Sequence, residues 1–176
     1  MIWPTTKYGV ILADPPWKYN NLRTVAQGAA VAQYPTMSVE ELLSLPVREL
    51  AADDCALFLW ATMPQLDVAL DIMADWGFDY VTCAFTWVKK TKHGKWWSGM
   101  GFYTRANAEL CLLGKRGRPK VQDTCQPQLI VAERGRHSAK PEEARQRIEK
   151  LFQGPYIELF ARTQAPGWDA WGNEVK

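Results

Sequence analysis

The chain has 176 residues, 47% of them hydrophobic and 23% charged, with a formal net charge of +2. One domain of this size, residues 1–176, buries roughly two thirds of its unfolded surface, and a two-domain enzyme is not expected. No apolar run is long enough to span a membrane, and Met1-Ile2-Trp3-Pro4 lacks the basic and apolar regions of a signal peptide, so the expectation is a soluble, cytoplasmic protein.

The first expected element is a strand over 8–13, a continuous apolar run that delivers Asp14-Pro15-Pro16-Trp17 to its end. Each proline fixes its own φ and disfavours the α region for the residue before it, so Asp14 and Pro15 stay extended. Two residues without N–H groups leave carbonyls that no donor in the turn claims, and the Asp14 carboxylate adds a second acceptor. Trp17 offers a flat face on which a planar ring can stack, a contact worth ~1–3 kcal/mol per base. The set suits an exocyclic amine on a heteroaromatic base. It suits equally a strand followed by a proline-rich turn, with Asp14 capping the local backbone and Trp17 filling core.

Next come a short helix opened by the capping box Ser38-Val39-Glu40-Glu41 and a strand over 56–61. A helix from Pro64 to Trp76 carries Leu66, Ala69, Leu70 and Met73 at helical spacing and stops before Gly77. Strands over 80–88, 108–113 and 128–131 follow, then a helix from Pro141 to Phe152 and a strand over 156–160. Most strands are unbroken apolar runs, as in a sheet covered on both faces, so the pattern is α/β with a mainly parallel sheet. Ligands of such folds gather at the carboxyl ends of the strands, where Asp14 sits.

Charge and loop length mark further ground. Residues 1–88 carry a balance of −6, residues 89–150 one of +9 and residues 151–176 one of −1. The basic third sets Lys89, Lys90, Lys92 and Lys95 beside Trp96 and Trp97, which fits a phosphate backbone with unstacked bases and fits also a set of solvated loops. The long segments 18–36 and 89–105 are expected to border a site. The basic segment 114–127 reads as a nucleic-acid arm or as a solvated excursion. Cys55, Cys83, Cys111 and Cys125 lack metal-type spacing and read as reduced and structural, with no metal expected.

The blocks Asp14-Pro15-Pro16-Trp17, Gln33-Tyr34-Pro35-Thr36-Met37-Ser38, Leu57-Phe58-Leu59-Trp60, Thr86-Trp87-Val88-Lys89 and Thr104-Arg105-Ala106-Asn107-Ala108-Glu109 resemble, in order, those of the DPPW-type adenine N6 methyltransferases. The likeness continues through His137-Ser138-Ala139-Lys140-Pro141, Ile157-Glu158-Leu159-Phe160-Ala161-Arg162 and Gly167-Trp168 to Trp171-Gly172-Asn173-Glu174, nearly the whole chain. That family includes the catalytic subunit of the eukaryotic mRNA adenosine methyltransferase and many small bacterial and phage enzymes. The resemblance implies a Rossmann-like, S-adenosyl-L-methionine-dependent methyltransferase fold with helices on both faces of the sheet and the catalytic motif preceding the cofactor motif.

It also implies residue roles. Asp14 and the Pro15 carbonyl hold the target amine, Pro16 completes the rigid motif and Trp17 bounds the base. Asp14, Arg105, Asn107, Glu109, Lys140, Arg162, Asn173 and Glu174 match cofactor positions. Tyr34 and Lys89 match positions near the target base, and Trp96, Trp97 and His137 are expected to face substrate. Gln164 and Glu174 depart from the eukaryotic catalytic subunit, which has histidine and glutamine there. The implied activity is methyl transfer to adenine N6 in nucleic acid, DNA favoured over RNA, by a homodimer or with a partner subunit. The alternatives are a catalytically silent nucleic-acid-binding scaffold subunit, or a cytosine N4 methyltransferase, against which Asp14 argues.

Overall fold

The apolar runs over 8–13 and 55–61 become strands buried on both faces, while that over 129–133 stays largely exposed. In the computed structural model, which describes residues 3–18, 36–135, 139–173 and 175, the strands are β1 (Tyr8–Ala13), β2 (Ala51–Ala61), β3 (Asp79–Lys90), β4 (Ala108–Arg116), β5 (Leu129–Glu133), β6 (Tyr156–Leu159) and β7 (Trp168–Trp171). They form one sheet in the order β5-β3-β4-β2-β1-β6-β7. β1 runs parallel to β2 and β6, β6 to β7, and β3 to β5; β4 alone is antiparallel, to both β2 and β3. The mainly parallel sheet is thus borne out, with one reversed strand inside it.

The helices are α1 (Val39–Leu43), α2 (Val47–Leu50), α3 (Leu66–Asp75) and α4 (Glu142–Leu151), with a 3-10 turn at Met63–Gln65. Side chains alternate along a strand. Ile11, Ala13, Leu57 and Leu59 therefore face one side, packed with Leu42, Val47, Ile72 and Met73 of α1 to α3. Val10, Leu12, Phe58 and Trp60 face the other, packed with Ala144 and Ile148 of α4. Each valine, leucine, isoleucine, methionine or phenylalanine among them contributes roughly 1.5–3 kcal/mol by leaving water. Helices cover both faces, as expected.

Local chemistry sets the element ends. Ser38 and Glu41 form the anticipated capping box at α1. α3 stops before Gly77, whose φ of 86° suits glycine. β4 ends at Gly117, where a Cβ would stand 2.3 Å from the Asp53 carbonyl oxygen.

Three features differ from the sequence expectation. β2 starts at Ala51, because Asp53 and Asp54 sit on its exposed end and interrupt the apolar run without ending the strand. α2 is a single turn that buries Val47 and Leu50 and exposes Arg48 and Glu49, and β7 is a four-residue strand of tryptophans and small or acidic residues that carries no β-branched run.

The topology defines one crevice. From β1 the chain crosses by α1 and α2 to β2 on one side, and it returns last through α4 to β6 on the other side of β1. The order of strands therefore reverses at β1, and open α/β sheets bind ligands outside the carboxyl ends at such a point.

Candidate active site

Asp14 is the first residue beyond β1 and stands at that switch point. Its N–H reaches the Leu159 carbonyl of β6 at 3.5 Å, continuing the strand register into the motif. The turn that follows corrects one expectation. The Pro15 carbonyl accepts the Trp17 N–H at 2.8 Å and the Pro16 carbonyl accepts the Met37 N–H at 2.9 Å, so both have local donors. Each carbonyl keeps a second lone pair for a ligand. Trp17 is only 7% exposed, and its indole N–H donates to the Trp60 carbonyl at 3.2 Å. It anchors the motif to the end of β2 and fills core; it is not an open stacking platform.

Around Asp14 the fold assembles a chain of alternating charges. Lys140, just before α4, donates to Asp14 Oδ1 at 2.6 Å and lies 3.3 Å from Glu109 Oε2. Glu109, near the start of β4, binds Lys89 at the end of β3 through its other oxygen. The Lys140 ammonium sits 5.5 Å from the Trp60 ring centroid, and that of Lys89 sits 4.9 Å from Trp87 and 5.4 Å from Trp97. Among the described residues Lys140 engages Oδ1 of Asp14, and Oδ2 remains as its other acceptor.

Burial governs the electrostatics. It pushes the Asp14 carboxyl above its ordinary value, with Lys140 and Arg162 offsetting part of the rise and Glu109 adding to it. Burial also penalises the charged Glu109, but Lys140 and Lys89 together hold its pKa below the usual value. Lys140, for which burial is outweighed by Asp14 and Glu109, is held protonated. A buried ion chain adds little net stability over apolar packing, and this one holds Asp14 Oδ1 against Lys140 at 2.6 Å.

Two more groups border this network. A cavity of about 590 Å³, lined by Met63, Pro64, Phe102, Thr104, Arg105, Asn107 and their neighbours, opens beyond the end of β2. Gln65 ties it to the motif by donating to the Lys18 carbonyl at 3.2 Å. Its size is that of a small-ligand pocket. Arg105 and Asn107 supply donors that suit a carboxylate, so these residues fit an amino-acid-bearing cofactor. At the ends of β6 and β7, the Ala161 N–H donates to the Trp171 carbonyl at 3.0 Å, bringing the Arg162 and Asn173 segments side by side. A Cβ at Gly172 would lie 2.1 Å from the Ala161 oxygen, so only glycine allows that approach.

Asp14, Glu109, Lys140 and Lys89 are therefore in one network, and the charge of Arg162 is felt at Asp14. Arg105 and Asn107 line the cavity, Trp97 has Lys89 at 5.4 Å and Arg134 at 4.9 Å from its ring centroid, and Trp96 is 61% exposed under Lys90. Tyr34, His137 and Glu174 lie outside the described residues. Sequence reasoning missed the roles of Trp60, which touches both Lys140 and Trp17, and of Glu158, which pairs with Arg145 at 2.8 Å and whose carboxyl burial raises. The signal for Glu158 was a lone charge inside the apolar run Tyr156-Ile157-Glu158-Leu159-Phe160. Cys55 and Cys111 are buried, Cys83 half-buried and Cys125 exposed; all four are free, and the described residues contain no metal-binding cluster.

A carboxylate at the end of the first strand, a reversed strand within a mainly parallel sheet and a switch-point crevice ringed by charge describe a Rossmann-like α/β fold, and its likeness to known proteins makes it a methyltransferase. More narrowly, the chain belongs to the MT-A70 family, whose model matches residues 8–174. It is 36% identical, over 98% of its own length and 79% of the relative's, to the type II methyltransferase M.MunI of Mycoplasma sp. It is 30% identical to the human N(6)-adenosine-methyltransferase catalytic subunit METTL3 and 29% to the N6-methyladenosine RNA methyltransferase MTA1 of Cryphonectria parasitica, over 96% of the chain in each case. The chain spans 28% of the former and 52% of the latter.

Proposed function

We propose that the chain is a single methyltransferase domain that transfers a methyl group from S-adenosyl-L-methionine to the exocyclic N6 of adenine in nucleic acid, with DNA the favoured substrate. The observation that carries this reading is Asp14, oriented by Lys140 at the switch point of the sheet. Its span of 79% of the bacterial type II methyltransferase, against 28% of the human subunit, supports DNA.

Adenine N6 is a poor nucleophile because its lone pair is delocalised into the ring. Asp14 and the second lone pair of the Pro15 carbonyl accept its two N–H groups, drawing the nitrogen towards a tetrahedral geometry. Alignment of that lone pair then supplies most of the catalysis. S-Adenosyl-L-methionine, when bound, supplies an electrophilic methyl on a sulfonium. Arg105 and Asn107 suit its carboxylate, Arg162, Asn173 and Glu174 its ribose and adenine, and Glu109 and Lys140 the charges between. Methylation leaves a proton on nitrogen, and Asp14, its pKa raised by burial, takes it directly or through water. Lys140 meanwhile keeps the carboxylate ionised and aimed. Tyr34, Lys89, Trp96, Trp97 and His137 complete the substrate side.

With tritiated S-adenosyl-L-methionine and unmethylated plasmid DNA, the purified protein is expected to label adenine. Absence of label in DNA and in RNA would overturn the reading.

A further inference from the structure

The β3–β4 connection carries an aromatic feature that the catalytic network leaves unused. Residues 99–106 form a small hairpin, closed by the Gly99–Ala106 bridge with the Gly99 N–H on the Ala106 carbonyl at 2.8 Å. At its tip the Thr104 N–H bonds the Phe102 carbonyl at 2.6 Å around Tyr103, whose φ is 62°. That is the rarer, left-handed sense of a three-residue turn, uncommon for a bulky residue and often found at functional sites. It leaves Tyr103 fully exposed and Phe102 54% exposed. Glycine is required just before the tip, since a Cβ at Gly101 would lie 2.5 Å from the Thr104 oxygen.

Place and charge identify what the rings meet. Gly101, Phe102 and Thr104 line the cavity beyond β2, and Tyr103 falls between them in the chain with its ring fully exposed. Residues 89–107 contain Lys89, Lys90, Lys92, Lys95 and Arg105 and no acidic residue. Lysine is depleted in protein–protein interface cores, whereas aromatics set among lysines suit a phosphate backbone with stacked bases.

We propose that this hairpin is a nucleobase wedge: Tyr103, backed by Phe102, stacks into a duplex beside the target and fills the space that an extruded adenine leaves. An enzyme that acts on a paired base must take it out of the stack, and side chains inserted between base steps accompany such unstacking. The inference rests on the reading of the chain as a nucleic-acid methyltransferase and adds the form of substrate, paired DNA.

The test compares methyl transfer to native and to heat-denatured unmethylated plasmid DNA for the wild type, Tyr103→Ala and Tyr103→Phe. Tyr103→Ala is expected to lose about 10-fold or more on native DNA, the scale of one lost stacking contact, and under about 3-fold on denatured DNA, with Tyr103→Phe restored. Equal losses on both substrates, no loss on either, or a wild type active only on denatured DNA would overturn the wedge. Conversion of a dimer to a monomer by Tyr103→Ala in light scattering would overturn it too, making the hairpin a protein interface. Should the wild type methylate nothing, the function proposal fails, and the wedge is then read by photocrosslinking to 5-iodouracil-substituted duplex: a crosslink at Tyr103 supports it and none rejects it.

Discussion

Asp14 is kept in an environment that costs the fold stability. Burial raises its pKa above 3.8, so the folded state binds its proton more tightly than the unfolded chain does. Stability from Asp14 alone therefore declines as pH rises from 3.8 to the raised value. Glu109 acts in the opposite sense: its folded pKa lies below 4.5, so it adds stability that is present above 4.5 and lost as pH falls through the folded value. The Glu109→Gln variant is expected to lose less stability on acidification than the wild type in thermal melts across that range. For catalysis, the acidic limb of kcat/KM should lie above pH 3.8. Lys140→Met, which removes the main group holding that pKa down, should move the limb further up while costing about 3 kcal/mol through an unpaired buried carboxylate, read by urea unfolding.

At the scale of elements, α1 holds the motif as well as the core. The Met37 N–H bonds Pro16, and Trp17 bridges Met37, one residue before the Ser38 cap. Ser38→Ala is expected to cost about 1 kcal/mol, seen as a lower urea midpoint at unchanged slope. This helix was readable because both halves of its capping box lie within four residues. The reversed direction of β4 was not readable: an apolar run of six residues states burial but not orientation, and the connection over 91–107 is long enough for either sense. β7 escaped for a related reason, since Trp168-Asp169-Ala170-Trp171 gains its strand character from pairing with β6 and not from propensity.

For the whole molecule, the local motif and its position at a strand end were legible, while the partners that orient it were not. Asp14 and Lys140 are 126 residues apart, and only the sheet order brings the start of α4 to the end of β1. The Lys140–Glu109–Lys89 continuation depends likewise on β3 and β4 lying side by side. Of the two readings open for Trp17, a stacking face or core, the structure shows core, with the indole N–H donating to the Trp60 carbonyl. Membership of the MT-A70 family covers residues 8–174, so the network belongs to the part of the chain that the family shares.

In the proposed reaction Asp14 delivers adenine N6 to a methyl donor. Mass spectrometry of nucleosides from the DNA of cells expressing the wild type or Asp14→Asn tests it most directly. N6-methyladenine is expected with the wild type and a loss of ~100-fold or more with the variant, which should remain folded. N4-methylcytosine in its place, or an equal yield of N6-methyladenine from folded Asp14→Asn, would contradict it.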